Sequence, residues 1–381
     1  PYLSRVLGIE LFGVLMMVQS LMMIASMVID FGFNLSASKA IANQSKSPTV
    51  VSAIASEVMS VKCIIFSLMI GIIWVGTLVV PTMNTHANII WVAVAIMIGN
   101  ALFPMFLFQG LEDLSFISGC NFIAKLSFLG LVFLLIQTPD QAIWVHGLWG
   151  GSFVIVSSLA WWRAHHSHGI RWQTPSWNAI QSRFKDSLEF FLSRLAVALT
   201  LNSNVILVGL LFSETSAGEF SAAEKCLYAI TTLYVPLIEA IYPYMARTKN
   251  VRLIRKIIGY TTALNAMACS VAYWLAPWVI PLIFGSEFTS SITLYRWMLV
   301  VACLHLPTSL IGYPVLAALG HANIANRSIM IAAIAHIALL TLLIPIASSP
   351  IQVVWVMIAS QCIVLSQRVW HLVRQNILQR S

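Results

Sequence analysis

The chain contains 381 residues, of which 59% are hydrophobic and only 9% are charged, and its net charge is +8. Soluble domains are about 45–50% apolar and about 25% charged, so this composition excludes a single soluble domain and a disordered chain. The basic excess does not indicate a nucleic-acid partner, because most Lys and Arg residues lie in a few short segments between long apolar runs. The sequence therefore predicts an all-α polytopic membrane protein.

Eleven apolar runs are long enough to cross the ~30 Å hydrocarbon core, which takes about 20 helical residues. The predicted spans are 9–30, 51–80, 88–109, 116–136, 143–162, 187–212, 218–245, 256–284, 291–318, 324–347 and 351–370. Because the chain begins with Pro1 rather than Met, we expect that a preceding helix is missing, which would make twelve spans.

Basic residues predict the orientation. One set of interhelical segments, with the tail from residue 368, carries 15 Lys and Arg residues, whereas the opposite set carries only Arg5. Such residues favour the cytoplasmic side. We therefore expect a multi-pass protein of a bacterial inner membrane with its C-terminus in the cytoplasm.

The longest polar segment divides the chain into two predicted helical bundles. Residues 164–186 would be a cytoplasmic linker between a lobe at 1–163 and a lobe at 187–381. Two bundles of similar size are a common transporter plan, with the pathway at their interface. The linker contains three histidines (His165, His166 and His168), but no acid or cysteine accompanies them, so we predict no metal site. The six cysteines lie in apolar runs and are predicted to be free thiols.

Five basic residues lie within predicted spans or at their edges. They are Lys62, Lys125, Arg194, Lys225 and Arg296. A basic residue at the bilayer centre costs roughly 2.5–3.5 kcal/mol, so each should face a cavity, pair with an acid or extend to the interface. Because Lys62 and Arg296 lie near span ends, we expect each of them to extend to the interface or to pair with an acid. Arg194, Lys225 and Lys125 are candidate cavity cations that would bind an anionic substrate.

Polar residues follow one face of the helix that carries Lys225. Tyr228, Thr232, Pro236 and Glu239 lie within about 60° of it at 100° per residue, and the proline could bend the helix. Such a face is typical of a water-filled pathway, although a contact between helices would look the same.

Three carboxylates are candidates for binding a coupling ion or for gating: Asp30, Glu239 and Glu57. Asp30 ends the first span and shares a face with Gln19 and Ser26, which would place it at the cytoplasmic mouth.

Five segments of the sequence resemble motifs of the Wzx-type O-antigen flippases, a family of the MOP exporter superfamily. They are residues 1–8 with 12–13, 30–39 (DFGFNLSASK), 108–112 (FQGLE), 191–194 (FLSR) and 220–225 (FSAAEK). The resemblance implies a MATE-like fold of two six-helix lobes. It also implies transport of undecaprenyl-diphosphate-linked O-antigen repeat units, for lipopolysaccharide, across the inner membrane by alternating access.

The resemblance implies further partners and roles. Arg194 and Lys225 match its motif positions, and a diphosphate needs cations in the cavity. Besides the lipid-linked oligosaccharide and membrane lipid, an O-antigen polymerase and a chain-length regulator would be partners.

Two alternatives remain. An ion-coupled multidrug or small-molecule exporter of the same superfamily would favour acidic cavity residues, so Lys125, Arg194 and Lys225 disfavour it. A membrane glycosyltransferase or polymerase is disfavoured because the predicted external segments are too short to fold a catalytic domain. No nucleotide-binding or nucleophile motif is present, so we predict no catalytic residue, no metal and no cofactor.

Overall fold

The computed structural model describes residues 1–44 and 47–375, which contain fifteen α-helices and no strand. The helices of the first half are α1 (Tyr2–Asp30), α2 (Phe33–Ala42), α3 (Pro48–Val79), α4 (Pro81–Thr85), α5 (Ala87–Leu102), α6 (Met105–Gly110), α7 (Leu114–Leu135) and α8 (Trp144–His168). Those of the second half are α9 (Trp177–Leu211), α10 (Glu214–Thr232), α11 (Tyr234–Thr248), α12 (Val251–Phe284), α13 (Ser291–Leu310), α14 (Ala322–Leu343) and α15 (Ile351–Arg374).

Four shorter helical segments complete the chain. Three are 3₁₀ turns, at Pro139–Ile143, Ser286–Phe288 and Ile344–Ile346, and the fourth is a π-helical segment, Ile311–Ala317, that directly continues α13. Among the described residues, eleven helical stretches are long and apolar enough to cross a membrane, and each overlaps one predicted span. The all-α polytopic fold and the eleven spans are therefore confirmed.

The helices pack into two compact units. The first-half unit comprises Val14–Ile206, and the second-half unit comprises Pro1–Gly13 together with Leu207–Ser381. Helices α1 and α9 each contribute to both units, because the unit boundaries fall inside them.

These units differ in extent from the predicted lobes. The linker expected at 164–186 is largely helical, because α8 continues to His168 and α9 begins at Trp177, which leaves only 169–176 outside a helix. Residues 376–381 of the predicted second lobe lie outside the described part. The assignment of 1–163 and 187–381 as separate lobes stays a prediction.

Close backbone packing holds the first-half unit together at the contact of α5 with α8. A side chain at Gly150 would overlap the backbone of Ala95 and Ile96, and one at Gly99 would lie 2.7 Å from Phe153 Cβ. Small residues at such contacts let two membrane helices approach closely, which increases their van der Waals contact.

Helix α13 is central to the second-half unit, where it packs against α10, α12 and α15. Pro307 lies in its last turns and Pro314 in the π-helical segment, so two residues that lack an N–H interrupt the regular hydrogen-bond pattern there. The first residues of the chain dock onto α10 of this unit. No side chain fits at Gly218, because it would overlap the carbonyl oxygen of Ile9.

Candidate functional site

A polar surface, here called the Lys225 face, runs along α10 and α11 of the second-half unit. Its members are Lys225, Tyr228, Thr232, Pro236 and Glu239, and all five are exposed. Helix α10 ends at Thr232 because Pro236 has no N–H to donate to the Thr232 carbonyl and its ring clashes with it. The chain resumes as α11 at Tyr234, so the helix is interrupted at Leu233, one turn before Pro236.

Lys225 is the cation of this face, and it lies deep in the membrane. It lies eleven residues beyond Glu214, the first residue of α10, which is about 16 Å along the axis and thus near the middle of a ~30 Å core. The ammonium group makes no hydrogen bond or ion pair with the described residues. A cation at this depth needs water or an anionic ligand, because lipid solvates it poorly.

Glu224, which the sequence analysis overlooked, is buried in the interior of the same unit. Its side chain is 8% exposed and makes no hydrogen bond or ion pair with the described residues. An acid near the middle of a predicted span is itself a rare feature, and that signal could have identified it. The neighbouring Lys225 is exposed, so the two consecutive charges lie on different sides of α10.

Arg194 belongs to the first-half unit and is exposed. It lies seventeen residues before Leu211, where α9 ends, which is about 26 Å along the axis of the helix. It therefore lies near one membrane surface rather than at mid-depth, and it has no ion pair with the described residues.

Lys125, also in the first-half unit, lies eleven residues into α7, near the middle of the membrane. It is exposed among the apolar side chains of Phe122, Leu126 and Leu129, which are exposed as well. One turn away, the Oδ1 atom of Asn121 is buried without a hydrogen-bond partner. This face of α7 therefore carries a charge and an unsatisfied amide oxygen at a depth where neither is stable in lipid.

Lys62 forms an ion pair, one of the two arrangements expected for it. It is fully buried, and its Nζ lies 3.3 Å from Asp30 Oδ1 and 5.4 Å from the ring centroid of Phe106. Because α3 begins at Pro48, Lys62 lies about 21 Å from that helix end and cannot extend to the interface there. Lys62 thus forms an ion pair and does not extend to the interface. This pair links the end of α1 to the middle of α3.

Glu57 is neutralised by a second ion pair of the first-half unit. Both Nε and Nη2 of Arg183 donate to its Oε2 oxygen, at 3.0 and 2.8 Å. Of the three carboxylates expected to bind an ion or to gate, Asp30 and Glu57 are thus paired, and only Glu239 is exposed without an ion pair to the described residues.

The three histidines at the end of α8 have separate contacts. His165 bonds the Ile170 carbonyl oxygen at 3.1 Å, and His166 bonds that of Trp162 at 2.9 Å. His168 lies 3.5 Å from the carboxylate of Asp113, which also accepts from Arg163 at 2.9 Å. Within residues 1–44 and 47–375, no group of three His, Cys, Asp or Glu side chains could hold a metal ion.

Arg368 was expected to begin a tail after the last span, but it lies inside α15, and the cytoplasmic location of that end stays a prediction. Helix α15 continues to Arg374, and Arg368 is only 3% exposed. Its Nε donates to Ser328 Oγ at 2.9 Å, Nη1 to the Thr308 carbonyl at 2.6 Å and Nη2 to the Ala325 carbonyl at 3.0 Å. The sequence signal for this burial was the apolar residues one turn away on each side, Val364 and Leu372.

Sequence comparison relates the chain to known proteins. A family model described as polysaccharide biosynthesis protein matches residues 1–249. Two relatives bear the name of candidate O-antigen transporter. The protein from Escherichia coli (strain K12) is 28% identical over 268 residues, which is 70% of this chain and 65% of the relative. The protein from Shigella dysenteriae is 25% identical over 345 residues, which is 88% of this chain and 85% of the relative. The chain thus spans slightly less than two thirds of the first relative's length.

Comparison with solved structures identifies the fold. The lipid II flippase MurJ in an inward closed conformation superimposes with a TM-score of 0.73 at 11% identity, covering 97% of this chain and 86% of that one. An inward-facing multidrug resistance MATE family transporter of the MOP superfamily gives 0.71 at 13% identity, covering 98% and 94%. The fold is therefore that of the MOP superfamily, as expected.

Proposed function

This chain belongs to the polysaccharide biosynthesis protein family, and from that membership we propose that it is a transporter of a polysaccharide precursor. Its substrate would be an undecaprenyl-diphosphate-linked O-antigen repeat unit used for lipopolysaccharide. Transport would run from the inner to the outer leaflet of a bacterial inner membrane by alternating access. The names of the two relatives support the substrate class, and the MOP fold supports the mode of transport.

Lys225 is the observation that carries this proposal furthest. It is an exposed cation near mid-membrane without an ion pair in the described part, so it is suited to attract an anionic head group. The substrate's diphosphate, with any acidic sugars, supplies that charge. The polyprenyl tail can stay in lipid while the head group moves, so the protein needs to solvate only the polar part.

Arg194 would act at an earlier stage than Lys225. Its distance of about 26 Å from the end of α9 at Leu211 places it near one membrane surface, which suits first contact with the diphosphate there. In the predicted orientation this is the cytoplasmic surface, where the lipid-linked unit would be collected. Lys125 has an equally unpaired charge at mid-depth and would contribute to the same attraction.

Glu224 would carry the coupling ion. The structure leaves this acid buried without a hydrogen bond or ion pair to the described residues, whereas Asp30 and Glu57 are already paired. A carboxyl group in that setting is stable when it is protonated and unstable when it is charged, so its ionisation would have to accompany a change in packing. The exposed Glu239 is the second candidate of this unit.

The test is restoration of O-antigen display in a strain that lacks its own transporter. Lys225→Ala and Arg194→Ala should each lower surface lipopolysaccharide at least about tenfold while membrane levels of the protein stay normal, because a lost charge-assisted hydrogen bond is worth about 1.5–3 kcal/mol. Arg194→Lys should retain partial display, since the charge survives without the planar fork. Lys185→Ala is the matched control, because Lys185 is exposed on the same helix, nine residues before Arg194 and farther from its end at Leu211.

The same strain distinguishes transport from its alternatives. A failed transporter leaves lipid-linked units accumulated on the cytoplasmic leaflet, whereas a failed polymerase leaves single units on the surface. Normal display with normal amounts of both alanine variants would refute the role of these cations.

For Glu224, the Gln variant should be present at normal levels and inactive, whereas Glu224→Asp should be partly active, because only the aspartate can still exchange a proton.

A further inference from the structure

A groove between α12 and α13 of the second-half unit has no role in the transport proposed above. Its volume is about 710 Å³, and its walls are mainly apolar and aromatic side chains, among them Trp274, Trp297 and Val300. One charged residue, Arg296, lines it, and no Asp or Glu does.

The guanidinium of Arg296 is held in place at the wall of this groove. Its Nε donates to the Tyr273 carbonyl oxygen at 3.3 Å, and its central carbon lies 4.5 Å from the centroid of the Tyr273 ring. No carboxylate pairs with it in the described residues, and its two terminal nitrogens make no hydrogen bond there. The groove therefore offers an oriented positive charge with free donors.

The charged end of the groove lies close to one membrane surface. Arg296 is five residues beyond Ser291, the first residue of α13, which is about 7.5 Å along the axis. The exposed Trp278 lies near the C-terminal end of α12, and the exposed Trp297 lies near the N-terminal end of α13, which follows it in the chain. The ring of Trp355, near the start of α15, lies 6.1 Å from that of Trp297. Tryptophans are enriched at the level of the lipid head groups, so Arg296 lies just below that level.

Charge, depth and shape together indicate the ligand. A guanidinium fits a phosphate with two parallel hydrogen bonds, and a groove with apolar walls accommodates a hydrocarbon chain. Because the groove lacks a carboxylate, a zwitterionic lipid would leave its ammonium group without a partner there. We propose that this groove is a binding site for one anionic phospholipid, with its phosphate on Arg296 and an acyl chain along Trp274 and Val300.

Native mass spectrometry of the purified full-length protein tests this site. The probes are phosphatidylglycerol, phosphatidylethanolamine and undecaprenyl phosphate, each added to delipidated protein. We expect one phosphatidylglycerol to bind at least about fivefold more tightly than phosphatidylethanolamine. Arg296→Gln should weaken that binding about tenfold, and Arg296→Lys should weaken it less, because the charge remains.

Two further variants separate a site from general attraction to charge. Arg327→Gln is the matched control, because Arg327 is exposed and lies five residues into α14, as Arg296 does in α13. It should leave binding unchanged. Ala266→Trp should fill the groove and lower phosphatidylglycerol binding although Arg296 is intact.

Three outcomes would overturn the proposal. They are unchanged phosphatidylglycerol binding by Arg296→Gln, an equal loss in Arg327→Gln, and Arg296-dependent binding of undecaprenyl phosphate but not of phosphatidylglycerol. The last outcome would assign the groove to the carrier lipid of the substrate instead. Binding is measured without transport, so this result is independent of the proposed function.

Discussion

Lys62 and Asp30 form a buried ion pair in the first-half unit, and its value depends on both members being present. Removing one partner of such a pair leaves the other charge buried, which costs far more than the pair contributes by itself. The neighbouring Phe106 ring adds a cation–π contact to Lys62 but does not replace the carboxylate. The pair therefore acts as a structural link between α1 and α3.

Lys62→Ala should lower the free energy of unfolding by about 3 kcal/mol, because Asp30 then loses its counter-charge. Thermal unfolding of the purified protein in detergent should show a clearly lower midpoint. Replacing both members together, Lys62→Met with Asp30→Asn, should recover most of the loss, since no unpaired charge remains. An unchanged midpoint for the single variant would contradict the pairing.

The contrast between Lys62 and Lys225 shows what the sequence can reveal about a charged residue in a span. Both are lysines in apolar runs, and their rarity there was visible from the sequence. The partner of Lys62 was not visible from the sequence, because Asp30 lies 32 residues before it and nothing local indicates that the two helices meet at that level. The burial of Glu224 was likewise not visible, since it depends on how α10 packs against α13.

Arg368 of α15 links three elements of the second-half unit. Its guanidinium donates to the carbonyl oxygen of Thr308 at the end of α13 and to that of Ala325 in α14. Gly312 makes room for it, because a side chain there would lie 3.0 Å from the central carbon of the guanidinium. The two prolines of this helix are visible in the sequence, but the buried arginine of α15 that packs against it is not.

Gly312→Ala should therefore destabilise the protein by roughly 1–3 kcal/mol, because the added methyl group displaces the guanidinium. Gly130→Ala is the matched control, since nothing lies within 4 Å of the position of its added side chain in α7. It should be neutral or stabilising by up to about 1 kcal/mol, as expected for alanine in a helix. The comparison uses thermal midpoints in one detergent, and equal midpoints for the two variants would refute the packing argument.

For the whole molecule, the eleven spans followed directly from hydrophobic runs, because the length of a span is set by the thickness of the membrane. The division into units did not, because α1 and α9 each contribute to both. Sequence indicates which segments enter the membrane. It does not indicate with which partners their residues pack, because that depends on contacts between distant parts of the chain.

The bias of basic residues gives a prediction about orientation that the fold alone does not test. Reporters inserted at 169–176 or fused after Arg374 should be found in the cytoplasm, and reporters inserted at 285–290 outside it. The inserts fall outside the α-helices, so they disturb the packing of α8, α9, α12 and α13 least. An external signal from 169–176 would reverse the orientation of the protein and the order in which Arg194 and Lys225 meet the substrate.

The docking of the first residues has a consequence for biogenesis. Ser4 donates to the Phe284 carbonyl oxygen, and the Ile9 amide donates to Glu287, so the partners are 280 and 278 positions apart in the chain. At about 5–20 residues per second, a ribosome takes roughly 14 to 56 seconds to supply those partners. All of Val14–Ile206 has been synthesised by then, whereas the second-half unit only then begins to bind residues 1–13, which were synthesised first. A defect near residues 282–287 would thus leave the start of the protein undocked in the bilayer, exposed to the proteases that remove unfinished membrane proteins.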